Sequence, residues 1–221
     1  MTHEEILQGL FDNTLVGNAP EVKDLVNTGL ETELTPEAML YDALIPSLEE
    51  VGARFERGDF FVPEMLIAAR AMQGALDILR PLLAETGVAE VGRYVMGTVK
   101  GDVHDIGKNL VNIMLEGAGF TVWDLGVNVA PEVFVEQVAE HKPDIVGFSA
   151  FLTTTMPMFK ANINALEKAG LRDQVIVMVG GAPVTQEYAD AVGADGYAAD
   201  ASTAVRLAKD LIQRKRSAVT A

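Results

Sequence analysis

A chain of 221 residues, 49% of them hydrophobic, has material for one large or two modest domains, and its zero cysteines exclude disulfides, thiolate metal sites, iron–sulfur clusters and cysteine nucleophiles. The net charge of −15, from 32 acidic and 17 basic residues, argues against a nucleic-acid or anionic-membrane partner, which most of the surface would repel. No apolar stretch reaches the roughly 20 residues of a membrane span, and the acidic start Met1-Thr2-His3-Glu4-Glu5 lacks the basic flank and apolar core of a signal peptide, so the expected compartment is the cytoplasm. With three histidines in all, metal chemistry must lean on one imidazole, on carboxylates, or on a prosthetic group.

The first part reads as helices only. Ile6, Leu7, Leu10 and Phe11 form a short stripe, and Pro20 opens a second pattern through Val22, Leu25, Val26 and Leu30. Thr35-Pro36 is an N-cap and first-turn pair. It starts a longer stretch with Leu40, Ala43, Leu44, Leu48, Val51 and Phe55 on one face, where Pro46 predicts a kink or a boundary. Gly58-Asp59 ends it. Pro63 begins a fourth helix with Leu66, Ala69, Met72, Leu76 and Leu79 at helical spacing. Four helices on short links predict an antiparallel bundle.

Past Glu85-Thr86-Gly87 strand-like and helical runs alternate. The strands are Tyr94–Val99, Thr121–Leu125, Ile145–Ala150, Val175–Val179 and a short Gly196-Tyr197. Between them lie helical runs Lys108–Gly117, Val133–Glu140, Phe159–Lys168 and Gln186–Val192, and a last helix runs from about Ser202 to Gln213. The repeat is that of βαβ units, so an α/β domain with a parallel sheet is expected from 89 to 221, after a helical domain from 1 to 88. Ile145–Phe148 and Val175–Val179 are apolar on both faces, as a sheet covered by helices requires. The basic Arg214-Lys215-Arg216 reads as a frayed helix end.

The chemistry gathers where strands end, the ligand side of an open α/β sheet. After the first strand comes Gly101-Asp102-Val103-His104-Asp105-Ile106-Gly107. A lone loop histidine is most often solvated or structurally bonded. Here Asp102 can reach the imidazole, and Gly107 permits close approach at a helix start; Asp105 is a second carboxylate or merely the helix cap. After the third strand, Ser149, Thr153, Thr154 and Thr155 put four hydroxyls into seven residues, suited to ligand hydrogen bonding or, in part, to capping the next helix. Gly180-Gly181 ends the fourth strand as a tight turn, a bare backbone for a ligand, or both. There is no phosphate loop, since Gly117-x-Gly119 follows a helix. A serine nucleophile elbow, a paired-histidine metal motif and a response-regulator acidic pair are also missing.

Asp102-x-His104-x-x-Gly107, then 41 residues, Ser149, and later Gly180-Gly181 resembles the cobalamin-binding module of corrinoid proteins. Gly101–Asn109 is similar to its methyltransferase form, and the helical part with Gly58-Asp59-Phe60-Phe61-Val62-Pro63 resembles the cap of methionine synthase and of the small corrinoid proteins of methylamine, methanol and methoxyarene systems. One departure stands out: such modules usually carry leucine two residues after the loop serine, where this chain has Phe151.

The resemblance implies a Rossmann-like (flavodoxin-like) sheet domain behind a four-helix cap, and a base-off, histidine-on cobalamin. His104 would be the lower axial ligand to cobalt, Asp102 would orient it, and Ser149 would extend that relay or hold the nucleotide tail. Thr153, Phe151, Gly180 and Gly181 would line the tail slot, with Asp105, Ile106 and Gly107 against the cofactor. Phe61 and Met65, with Met72, would cover the upper face, and a hinge near Gly87 would uncover it. The implied role is a methyl carrier, not a catalyst by itself. It would accept methyl on cobalt(I) from a substrate-specific methyltransferase and deliver it as methyl-cobalt(III) to a second one acting on tetrahydrofolate or a thiol, with a reductive activase to rescue oxidised cobalt. A cobalamin-binding sensor is the alternative.

Overall fold

The structure, a computed structural model, describes residues 1–86 and 91–220, and the chain forms two compact units, Met1–Glu90 with Gly117–Gly119 and Val91–Glu116 with Phe120–Ala221. The 88/89 boundary and the Gly87 hinge lie outside the described residues.

The first unit is helical. α1 (His3–Leu15) starts at a reciprocal cap, with the Thr2 hydroxyl accepting from Glu5 N at 3.2 Å and the Glu5 carboxylate from Thr2 N at 2.7 Å. α2 (Ala19–Glu31) has Pro20 in its first turn, and α3 (Pro36–Met39) is capped by the Thr35 hydroxyl. In the stretch from Thr35 to Gly58, where Pro46 predicts a kink or a boundary, α3 passes through a π-helical turn, Leu40–Leu44, into α4 (Ile45–Arg57). The widened turn falls just before Pro46, which has no N–H to return to the Asp42 carbonyl. Gly58, at φ +78°, closes α4 in the left-handed conformation. α5 (Val62–Thr86) then packs on α2 and α4, and α1 on α2 and α4. The buried Ser47 hydroxyl donates to the Phe11 carbonyl at 2.9 Å, tying α4 to α1. The buried stripe of α5 is Met65, Ala68, Ala69, Met72, Ala75, Leu76 and Leu79, while Leu66, expected on it, is exposed.

The second unit is a five-stranded, all-parallel sheet in the order β2-β1-β3-β4-β5. Its elements are β1 (Gly92–Thr98), α6 (Ile106–Gly117), β2 (Phe120–Asp124), α7 (Pro131–His141), β3 (Ile145–Ser149), α8 (Pro157–Lys168), β4 (Ile176–Gly180), α9 (Gln186–Val192), β5 (Gly196–Ala198) and α10 (Ala201–Thr220). On one face Val95, Val146 and Val177 form a core with Phe134 and Val138 of α7 and with Phe159, Ile163 and Leu166 of α8. On the other, Gly92 lies against Ile212 and Gly196 against Leu207 and Leu211, the packing of α10. Strand order reverses between β1 and β3, so the crevice for a ligand opens above the ends of those two strands.

The sheet unit corrects one expectation. α10 does not fray at Gln213 but continues to Thr220, with Lys215 Nζ donating to the Gln174 carbonyl at 2.5 Å and Arg216 to the Val91 carbonyl at 3.1 Å. Among the described residues no helix is long and apolar enough to cross a membrane.

Candidate functional site

The loop after β1 is fixed before any ligand arrives. The buried Thr98 hydroxyl donates to the His104 carbonyl at 3.0 Å. Gly101, at φ +85°, gives its N–H to Asn128 Oδ1 at 2.8 Å, and Asn128 N returns a bond to the Asp102 carbonyl at 2.9 Å.

Inside this loop Asp102 is fully buried. Its Oδ1 accepts from His104 N at 3.1 Å and faces His104 Nδ1 at 2.7 Å. Its Oδ2 accepts from Phe151 N at 2.8 Å, Leu152 N at 3.1 Å and the Thr155 hydroxyl at 2.7 Å. Burial works against the carboxylate's charge, but the bonds from Thr155, His104 and the backbone of residues 151 and 104 outweigh it and hold the carboxyl well below its ordinary range. The Asp102 carboxylate is an acceptor for a proton on Nδ1, which leaves Nε2 as the ring nitrogen available to a ligand. The His104 side chain is 45% accessible, and among the described residues its Nε2 makes no hydrogen bond. The Phe151 ring stacks on the imidazole, with centroids 4.3 Å apart and planes 25° apart.

In the two loops that meet at Asp102, Val103, Ile106, Phe151 and Leu152 are all exposed, and open apolar surface marks a binding site. Among the described residues no three His, Asp or Glu side chains converge as they would on a bare ion. One accessible imidazole beside exposed apolar side chains fits a metal that brings its other ligands within a prosthetic group. Gly107, in the first turn of α6, supports the same fit. Its φ is not positive and a Cβ there would meet nothing within 4 Å, so internal packing does not require glycine, and open space lies beside it.

The remaining expected residues fall as follows. Asp105 occupies the N-cap of α6, its carbonyl accepting from Asn109 N at 2.8 Å. Ser149 ends β3, and its carbonyl accepts from Val99 N at 3.0 Å. Its hydroxyl does not extend the Asp102–His104 pair; Thr155 takes that position, because the turn after β3 brings residue 155 back under the carboxylate. Thr153 is exposed on the same loop. Gly180 ends β4 opposite Ser149. Gly181, at φ +130°, leaves room only for the Ala150 carbonyl, 1.9 Å from where its Cβ would be; backbone packing alone demands glycine there. In the helical unit Phe61 is 65% exposed and its N–H caps back to Glu64 Oε2 at 2.9 Å. Met65 and Met72 are fully buried.

Two contributors were missed by sequence reasoning. Thr155 belonged to the hydroxyl run, but nothing in the run distinguishes it from Thr153. Lys108 is almost completely buried, with Nζ 2.6 Å from both oxygens of Asp124 and 2.6 Å from Asn109 Oδ1. It clamps the start of α6 to the end of β2 and so steadies the loop carrying His104.

Comparison with known proteins is consistent with this geometry. Residues 92–206 match a B12 binding domain family, and residues 6–80 match a second family of the same description. The chain belongs to the cobalamin-binding corrinoid proteins. It is 44% identical over 213 residues to the dimethylamine corrinoid protein of Methanosarcina barkeri, covering 96% of this chain and 100% of that one. Among solved structures it is similar to a cobalamin-binding protein from Desulfitobacterium hafniense DCB-2 (TM-score 0.76, 29% identity, 96% of this chain and 98% of the other). It is also similar to the methanol:cobalamin methyltransferase complex MtaBC from Methanosarcina barkeri (TM-score 0.83, 27% identity, 96% and 81%). This corrinoid protein therefore joins a helical cap to a parallel-sheet B12 domain.

Proposed function

We propose that this corrinoid protein is a methyl carrier, taking a methyl group from one methyltransferase and yielding it to another without catalysing either transfer alone. Bound cobalamin supplies the cobalt that takes up and gives away the methyl group. The observation that carries the reading is the Asp102–His104 pair at the end of β1, with Nδ1 held at 2.7 Å and Nε2 open.

In this reading His104 Nε2 is the lower axial ligand, and the cofactor is bound base-off and histidine-on. Asp102 fixes the imidazole's tautomer and direction. Ser149, Phe151, Thr153, Gly180 and Gly181 border the slot for the nucleotide tail, and Asp105, Ile106 and Gly107 lie against the cofactor. Phe61 is exposed at the start of α5, and the cap is assigned to residues 1–88 and the B12 domain to residues 89–221. The dimethylamine corrinoid relatives make a methylamine the donor we favour. Tetrahydrofolate or a small thiol is the acceptor, and a reductive activase returns oxidised cobalt to service.

The test begins with the protein reconstituted with hydroxocobalamin and passed through gel filtration, where the corrinoid spectrum stays with the protein. In the cobalt(II) form, electron paramagnetic resonance shows splitting from an imidazole nitrogen, and His104→Ala abolishes it. Splitting unchanged in that variant removes His104 as the ligand. Loss of colour from the wild type on the column sinks the carrier role altogether.

A further inference from the structure

We infer that Phe151 is a positioning residue for His104: its ring, stacked on the imidazole, holds the ligand nitrogen in its cobalt-facing direction before and during cofactor binding. The inference rests on the assignment of His104 as axial ligand and adds to it how the imidazole is aimed.

An imidazole joined to its backbone through Cβ has two soft torsions, and the 2.7 Å bond from Nδ1 to Asp102 constrains one edge of the ring only. Pivoting about that bond still swings Nε2 off the cofactor axis. A flat partner on the ring face opposes this motion, because stacking is lost as the planes separate. Phe151 provides that partner at 4.3 Å and 25°, and it is itself anchored: its N–H donates to Asp102 Oδ2 at 2.8 Å, and the next residue's N–H to the same oxygen at 3.1 Å. One buried carboxylate thus fixes the imidazole's edge directly and its face through the residue that covers it. Half of the Phe151 surface is accessible, so neither core packing nor burial explains a phenyl here. Leucine, the usual residue at this place in methionine synthase-like modules, is apolar but offers no flat face.

The full-length chain is compared with Phe151→Leu and with the ring-retaining Phe151→Tyr. In the cofactor-free protein labelled at histidine, the His104 ring protons, assigned by their loss in His104→Asn, are expected upfield from the stacked phenyl. They move downfield in Phe151→Leu and stay upfield in Phe151→Tyr. After reconstitution with hydroxocobalamin and reduction to cobalt(II), the ratio of nitrogen-ligated to unligated metal falls about two- to tenfold in Phe151→Leu, the span expected for one aromatic pair, and Phe151→Tyr restores it. Ring-proton shifts in Phe151→Leu equal to wild type overturn the inference, as does an unchanged ligation ratio. Failure of the axial-ligand assignment has a different signature: His104→Ala keeps the nitrogen splitting while the cofactor-free shift still responds to Phe151→Leu.

Discussion

Five hydrogen bonds converge on the Asp102 carboxylate, two from residue 104 and three from residues 49 to 53 positions downstream. Removing it does more than free an imidazole: Asp102→Ala strands the backbone N–H groups of residues 104, 151 and 152, and should lower stability by about 2–4 kcal/mol in urea titrations. Asp102→Asn, which keeps an acceptor oxygen, costs about half as much. The two also differ in acid. The Asp102 carboxyl titrates in the folded protein below its unfolded value of about 3.9. Its contribution is therefore complete above about pH 4 and is lost as pH falls below that. Urea midpoints taken at pH 7, 4 and 3 should show an acid-linked loss in the wild type that Asp102→Asn lacks in part. The glycines separate packing from binding. Gly181→Ala drives a methyl into the Ala150 carbonyl and should cost more than about 2 kcal/mol. Gly107→Ala meets open space, so cofactor-free stability changes by less than about 1 kcal/mol while cobalamin retention weakens. The bond between Asp102 and His104 is local, two residues apart, and was legible in the sequence for that reason. Thr155 joins the same carboxylate from 53 residues away, a distance no spacing rule bridges.

At the level of elements, the clamp between α6 and β2 has a measurable cost. Lys108→Met keeps the aliphatic stem but removes the ammonium from the two Asp124 oxygens and Asn109, for an expected loss of about 1.5–3 kcal/mol and a weaker hold on cobalamin through the loosened loop. Equal stability in thermal melts of the two proteins would show the clamp to be incidental. Strand and helix order in the sheet unit could be read in advance because apolar runs bounded by Gly, Pro and Asp alternate regularly. The face of α5 could not. Met65, Leu66 and Ile67 are consecutive apolar residues, so periodicity alone leaves the stripe free to shift by one, and packing selects Met65. The end of α10 was hidden for the opposite reason. Gln213 to Arg216 are polar, and what holds them is a pair of side-chain bonds to carbonyls of other segments.

For the molecule as a whole, cofactor binding and folding are one equilibrium for the B12 domain. Cobalamin at a hundredfold excess over its Kd should stabilise the native state by about 2.7 kcal/mol, read as a concentration-dependent rise in Tm with hydroxocobalamin. The rise should shrink in His104→Ala, where one coordination bond is lost, and in Gly107→Ala, where the cradle is filled. A Tm indifferent to cobalamin in the wild type would contradict the site. The contact of Arg216 with the Val91 carbonyl has a practical consequence. It brings the tail of the final helix to the foot of the first strand, whereas His104 lies beyond that strand's top. Seven strand residues separate the two by roughly 20 Å. A tether or fluorophore fixed near that tail would stand clear of the ligand edge, leaving cofactor and visiting enzymes their approach.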